Sequence, residues 1–183
     1  MASERDIRDL VRRVVDGISS GEEVTQQGSI ETDNIAIGAD HGGYALKERL
    51  IGHLRDQGYA VRDCGTNSPD SVDYPDFAQA VAELVSDGSC RWGVVVDGAG
   101  IGSSITANKV PGIRAALCYD ISSARNSREH NHANVLTLGA ALIGDALALQ
   151  ILDAWLATEW GSGRHARRVE LITEIDNRTR RSS

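Results

Sequence analysis

The chain has 183 residues, 41% of them apolar and 25% charged, with a formal net charge of −7. That length suits one compact domain with some chain to spare, and the apolar share is enough for a real core. The acidic balance argues against a nucleic-acid surface, which needs clustered Lys and Arg, so any anionic ligand has to be held by locally placed arginines.

The first residues, MASERDIRDLVRRVVDG, are charged throughout and do not form a secretory signal. No uninterrupted apolar run reaches membrane-spanning length, so the expectation is a cytoplasmic protein without a membrane partner. Within residues 1–18, Ile7, Leu10, Val11, Val14, Val15 and Ile18 fall on one stripe of an amphipathic helix. Ser3 and Asp6 offer an N-terminal capping pair, and Gly17 with the following SSG ends the pattern. Residues 19–33, SSGEEVTQQGSIETD, are small and polar without periodicity, and read as a linker to a domain over 34–183.

From Asn34 onward β-rich apolar runs alternate with helical patterns. The runs are NIAIGA, YAVRDC, RWGVVV, IRAALCY and NVLTLGA; YALKERLIGHLRDQG and YPDFAQAVAELVSDG are helical segments between them. This alternation predicts an α/β fold, a three-layer αβα sandwich around a five-stranded parallel, Rossmann-like sheet. GDALALQILDAWLATEW predicts a helix, followed by a break and an arginine-rich C-terminal helix in RHARRVELITEIDNR. Trp92, Trp155 and Trp160 sit in apolar patterns and read as core or interface packing. Cys64, Cys90 and Cys118 are odd in number and lack metal-ligand spacing, so they read as reduced, mostly buried thiols.

Ligands of an open parallel sheet bind beyond the carboxyl ends of its strands. Three clusters are therefore expected to meet at one rim: Asp40-His41-Gly42-Gly43, Asp97 through Gly102, and Ser127 through His132. The GxGxG loop after Asp97 matches neither a dinucleotide fingerprint nor a nucleotide P-loop. What its glycines do allow is backbone N–H groups aimed at an anion, including an oxyanion that develops during reaction. The competing reading is a tight strand-to-helix turn without a ligand.

The segments GADHGGYALKERL, DYPDFA, GAGIGSSITANKVPGIRAALC, SREHNHANVLTLGA and GRHARRVELI, in this order and spacing, resemble the ribose-5-phosphate isomerase B family. That family includes galactose-6-phosphate isomerases, and the resemblance covers residues 34 to about 178. It implies aldose–ketose isomerisation of a phosphosugar through an enediolate, without metal or organic cofactor. It also implies a homodimer or higher homo-oligomer, with the His-Asn segment reaching the pocket from the neighbouring chain. Carried over by motif, Asp40 and His41 lie against the ring oxygen and hydroxyls, and Tyr74 lines the pocket. Gly98, Ala99, Gly100 and Gly102 form the anion hole. His130 assists ring opening, Asn131 holds the sugar, and Arg164 and Arg168 clasp the phosphate.

Two positions depart from the commonest family pattern. Asp97 stands where many members carry a cysteine as enolising base, and Ala141 where many carry an arginine. Asp97 is thus the expected base, as in the galactose-6-phosphate branch; the alternative is a structural carboxylate that caps the next helix. The lost arginine predicts a substrate differing from ribose 5-phosphate, such as a tetrose phosphate like erythrulose 4-phosphate. The rivals are galactose 6-phosphate or ribose 5-phosphate as substrate, or an inactive sugar-phosphate-binding or scaffolding homologue. His53 reads as a surface residue, His132 as near the pocket or an interface, and His165 as structural or functional alike. The N-terminal helix and linker resemble encapsulation peptides, which implies docking on a microcompartment shell protein; folding back onto its own domain or partner is the alternative.

Overall fold

The computed structural model describes residues 34–181; the helix expected over residues 1–18, the linker over 19–33 and the shell-docking role attached to them lie outside the described residues. Strands and helices follow in the order β1 (Asn34–Ala39), α1 (Tyr44–Asp56), β2 (Ala60–Asp63), α2 (Tyr74–Ser86), β3 (Trp92–Asp97) and α3 (Ile101–Ala107). They continue with β4 (Ala115–Leu117), α4 (Ile121–Asn131), β5 (Val135–Gly139), α5 (Asp145–Ala157) and α6 (Arg164–Arg181). All five expected strands form one parallel sheet in the order β2-β1-β3-β5-β4.

The central strands are buried from end to end in β3 and β5, as continuous apolar runs covered on both faces should be. Alternate residues divide the core in two, following the two-residue repeat of a strand. Ile35, Ile37, Val94, Val96, Leu136 and Leu138 pack against Leu50 and Leu54 of α1, Ala124 of α4 and Ile151, Leu152 and Trp155 of α5. On the other face Ala36, Val95 and Val135 meet Ala78, Val81 and Ala82 of α2 and Ala107 of α3. Each fully buried Leu, Ile or Val contributes about 1.5–3 kcal/mol.

The stretch Ser127 through His132 does not reach the rim where the glycine loop lies. α4 starts just after the carboxyl end of β4 and runs back antiparallel to the strands, so its last turn lies where β5 begins. Arg128 from this stretch is part of the core instead, 3% exposed. Its guanidinium lies 3.8 Å from the ring centre of Trp92 and 4.6 Å from that of Trp155. It donates to the carbonyls of Trp155 and Thr158, both at 3.2 Å, and of Ala133 at 2.6 Å. Burial pushes its pKa down to about 10, so the charge persists at neutral pH.

Candidate active site

From β1 the chain goes to β2 on one side, and then to β3 on the other, so a crevice opens at the carboxyl ends of β1 and β3. Asp40 follows β1 and Asp97 closes β3, and the pairing of Ala39 with Val96 sets the two acids side by side along the rim. The Asp40 N–H donates to the Val96 carbonyl at 3.2 Å. Its Oδ1 accepts the Gly43 N–H at 3.0 Å. Gly43 has to be glycine: a Cβ there would lie 2.2 Å from the Val96 carbonyl oxygen.

His41 is exposed, with Nδ1 3.2 Å from the Val72 carbonyl oxygen, which ties the loop before α2 to the rim. Tyr74, 39% exposed, opens α2 and lies so near the glycine loop that a Cβ on Gly102 would meet its Cζ at 2.5 Å. Tyr119, beyond β4, donates its hydroxyl to the Ala99 carbonyl at 2.8 Å. The sequence reading missed Tyr119, although a polar residue just past a strand end is the signal that singled out Asp40 and Asp97.

Asp97 is 5% exposed, and its carboxylate is turned into its own loop. Oδ1 accepts the N–H of Ala99 at 2.8 Å and the N–H of Gly100. Oδ2 accepts the N–H of Ser103 at 3.0 Å and the Ser103 hydroxyl at 2.5 Å. Four donors thus share the two oxygens of this carboxylate. This bonding is of the kind that the capping alternative expects. Its cause is local: an aspartate before a glycine turn offers the nearest acceptors to N–H groups that the turn and the new helix leave unpaired. Ser103, the residue that completes the arrangement, was also missed.

This bonding involves two of the four residues expected to form the anion hole. The N–H groups of Ala99 and Gly100 are engaged by Asp97, whereas those of Gly98, Ile101 and Gly102 are not. Gly100 holds the turn at φ 76°, with Leu117 packed where a side chain would begin.

The remaining expected residues gather at the amino edge of the sheet. The rings of His130 and His165 stack with centres 4.1 Å apart and 7° between their planes. The Asn126 amide is 2.8 Å from His130 Nδ1, and the Asn131 amide donates back to the Asn126 carbonyl at 3.4 Å. His132 ends α4, stacks on Trp160 at 4.9 Å and places Nε2 2.7 Å from the Gly161 carbonyl oxygen. Arg164 Nε lies 3.4 Å from His165 Nε2, and Arg168 follows one turn later on α6. Desolvation, reinforced by His130, Arg164 and Arg168, holds His165 below the usual histidine pKa.

Five or six strand residues separate this cluster from the Asp40 rim, a distance of about 15 Å or more. Single-chain convergence of His130, Asn131, Arg164 and Arg168 with Asp40, His41 and Tyr74 is therefore not what the fold provides. Ala141 is at the carboxyl edge, exposed, its N–H donating to the Gly98 carbonyl at 3.0 Å. His53 lies in the last turn of α1, 2.6 Å from Asp153. The cysteines are free, and burial pushes Cys64 up to about 11, so it is a protonated thiol at neutral pH. Among the described residues no group of three His, Cys, Asp or Glu side chains is placed to hold a metal, and no helix is long and apolar enough to cross a membrane.

A family model described as Ribose/Galactose Isomerase matches residues 35–172. The ribose-5-phosphate isomerase B of Escherichia coli (strain K12) is 46% identical over 144 residues, covering 79% of this chain and 97% of that relative. Among solved structures, a ribose-5-phosphate isomerase B of Clostridium thermocellum matches with a TM-score of 0.79 at 53% identity, over 80% of this chain and 99% of its own. That of Mycoplasma genitalium, with bound ribulose-5-phosphate, matches with a TM-score of 0.77 at 38% identity, over 79% of this chain and 96% of its own.

Proposed function

Because the chain belongs to the ribose/galactose isomerase family, we propose that it interconverts an aldose phosphate and a ketose phosphate at a site shared by two copies of the chain. It is a sugar-phosphate isomerase; which sugar it takes, and which residues act, are the proposal. The observation that carries it is the division of site residues between two edges. The carboxyl edge has a carboxylate, a histidine, a tyrosine and free loop N–H groups for a polyol and its oxyanion, while the arginines suited to a phosphate stand at the amino edge. An isologous dimer brings the amino edge of each copy onto the carboxyl edge of the other, and so makes two complete sites.

In such a site Arg164 and Arg168, four residues apart on α6, clasp the phosphate of a sugar held by the other copy. His130 moves the proton that opens the ring, and Asn131 holds a hydroxyl. The carbonyl oxygen of the open chain turns toward the N–H groups of Gly98, Ile101 and Gly102, which stabilise it as negative charge develops. Asp97 keeps the loop in the shape that presents them.

At the carboxyl edge Ala141 brings no charge, which removes a charge-assisted contact worth about 1.5–3 kcal/mol to a phosphate of ribose-like reach. The proposed substrate is correspondingly a tetrose phosphate of the erythrulose 4-phosphate type. The names of the relatives favour ribose 5-phosphate as its rival. Initial rates on four-, five- and six-carbon sugar phosphates test this, with the four-carbon substrate expected to give the highest kcat/KM. A clear preference for ribose 5-phosphate or galactose 6-phosphate overturns the substrate choice. No turnover of any of them leaves only sugar-phosphate binding.

A further inference from the structure

We infer that Asp40, the other acid of the crevice, is the base that carries the proton between the two carbons, with Asp97 as a positioning residue. The inference rests on the isomerase reading above and deepens it. Two carboxylates stand at the switch point, and they are bonded in opposite ways. Asp97 accepts four hydrogen bonds, from Ala99, Gly100 and twice from Ser103. Asp40 accepts one side-chain hydrogen bond, from Gly43 to Oδ1, and among the described residues no hydrogen bond reaches its Oδ2.

That single bond fixes the side chain and leaves one oxygen with its lone pairs. The backbone behind it is held by the bond from its N–H to Val96, so the acid stands on the end of a buried strand. It also faces the loop: a Cβ on Gly42 would lie 3.3 Å from Asp40 Oδ1 and 3.5 Å from the Gly98 nitrogen. A sugar carbon beside Asp40 thus has its oxygen next to an N–H that Asp97 leaves unengaged. The other proton acceptors of this edge are less suited. His41 Nδ1 is occupied by Val72, and Tyr74 offers a phenol hydroxyl and not a carboxylate.

The step balances within the substrate. The C2–H bond breaks, its proton forms an O–H bond on Asp40 Oδ2, and the electron pair forms the C1–C2 double bond while the carbonyl pair moves onto O1. Asp40 then returns the proton to C1 as the O2 proton passes to O1 and the carbonyl re-forms at C2. No oxidant or reductant is required.

The test is Asp40→Asn in the full chain, with the sugar phosphate that the wild-type chain turns over fastest. Turnover, deuterium uptake at C2 in D2O and calorimetric binding of the same sugar are read together, beside Asp97→Asn. The expected result for Asp40→Asn is a loss of at least about a thousandfold in kcat with no deuterium uptake, while binding changes only a few-fold. Asp40→Glu, which keeps a carboxylate, is expected to take up deuterium at a reduced rate, and Asp97→Asn, which disturbs the loop around the oxyanion, to slow exchange without abolishing it. If Asp40→Asn keeps more than a tenth of wild-type exchange, or loses binding and turnover in parallel, the assignment is overturned. Absence of turnover in the wild-type chain overturns the isomerase reading and this assignment with it.

Discussion

Asp97 and Asp40 are the same side chain in neighbouring places, and what separates their chemistry is how many donors surround each. Asp97 accepts four hydrogen bonds from its own loop; among the described residues none reaches Asp40 Oδ2. His165 illustrates the same dependence on surroundings. Desolvation and the nearby His130, Arg164 and Arg168 depress its pKa, whereas the unfolded chain restores the ordinary value of 6.5. Its contribution to stability is therefore present above the unfolded value of 6.5 and is lost as pH falls from there through the lower pKa of the folded chain, because the unfolded chain takes up the proton first. Thermal melts at pH 7.5 and 5.5 are expected to show a drop in Tm that is smaller in His165→Gln. An equal drop in both proteins would remove His165 as its source.

At the scale of elements, Arg128 joins α4 to β3, to the end of α5 and to the segment that leads into α6. It does so by bonding carbonyls at Ala133, Trp155 and Thr158 and by stacking on Trp92 and Trp155. Arg128→Ala removes charge-assisted bonds and packing together, and is expected to destabilise the fold by about 3 kcal/mol in urea denaturation. A change below about 1 kcal/mol would show that the tryptophans close up without it. The strands were legible because β1, β3 and β5 are short apolar runs, built of Ile, Ala and Gly in β1 and mainly of Val and Leu in β3 and β5. The role of Arg128 was not, because its partners lie 36 residues before and 27 after it in the chain. The direction of α4 followed from the expected parallel sheet, because a helix that joins two parallel strands must end at the amino edge where the next strand begins.

For the whole molecule, the family motifs named the residues of the proposed site and implied that the His-Asn segment comes from the neighbouring chain, but the expectation that Ser127 through His132 join the carboxyl rim overlooked that this stretch precedes β5 and so lies at the amino edge. The turn of Asp97 into its loop was beyond sequence, being decided by backbone N–H directions that only the folded loop fixes. The consequence of the division is that neither edge of one copy is a complete site. Asp40→Asn and Arg164→Ala, each inactive alone, would damage different edges. The most direct measurement is therefore the activity of an equimolar mixture of the two after dissociation and reassociation. Random pairing puts half of the dimers in the mixed form, each with one undamaged site of two, so the account predicts recovery of about a quarter of wild-type turnover. A mixture as inactive as its components would contradict a site shared between copies.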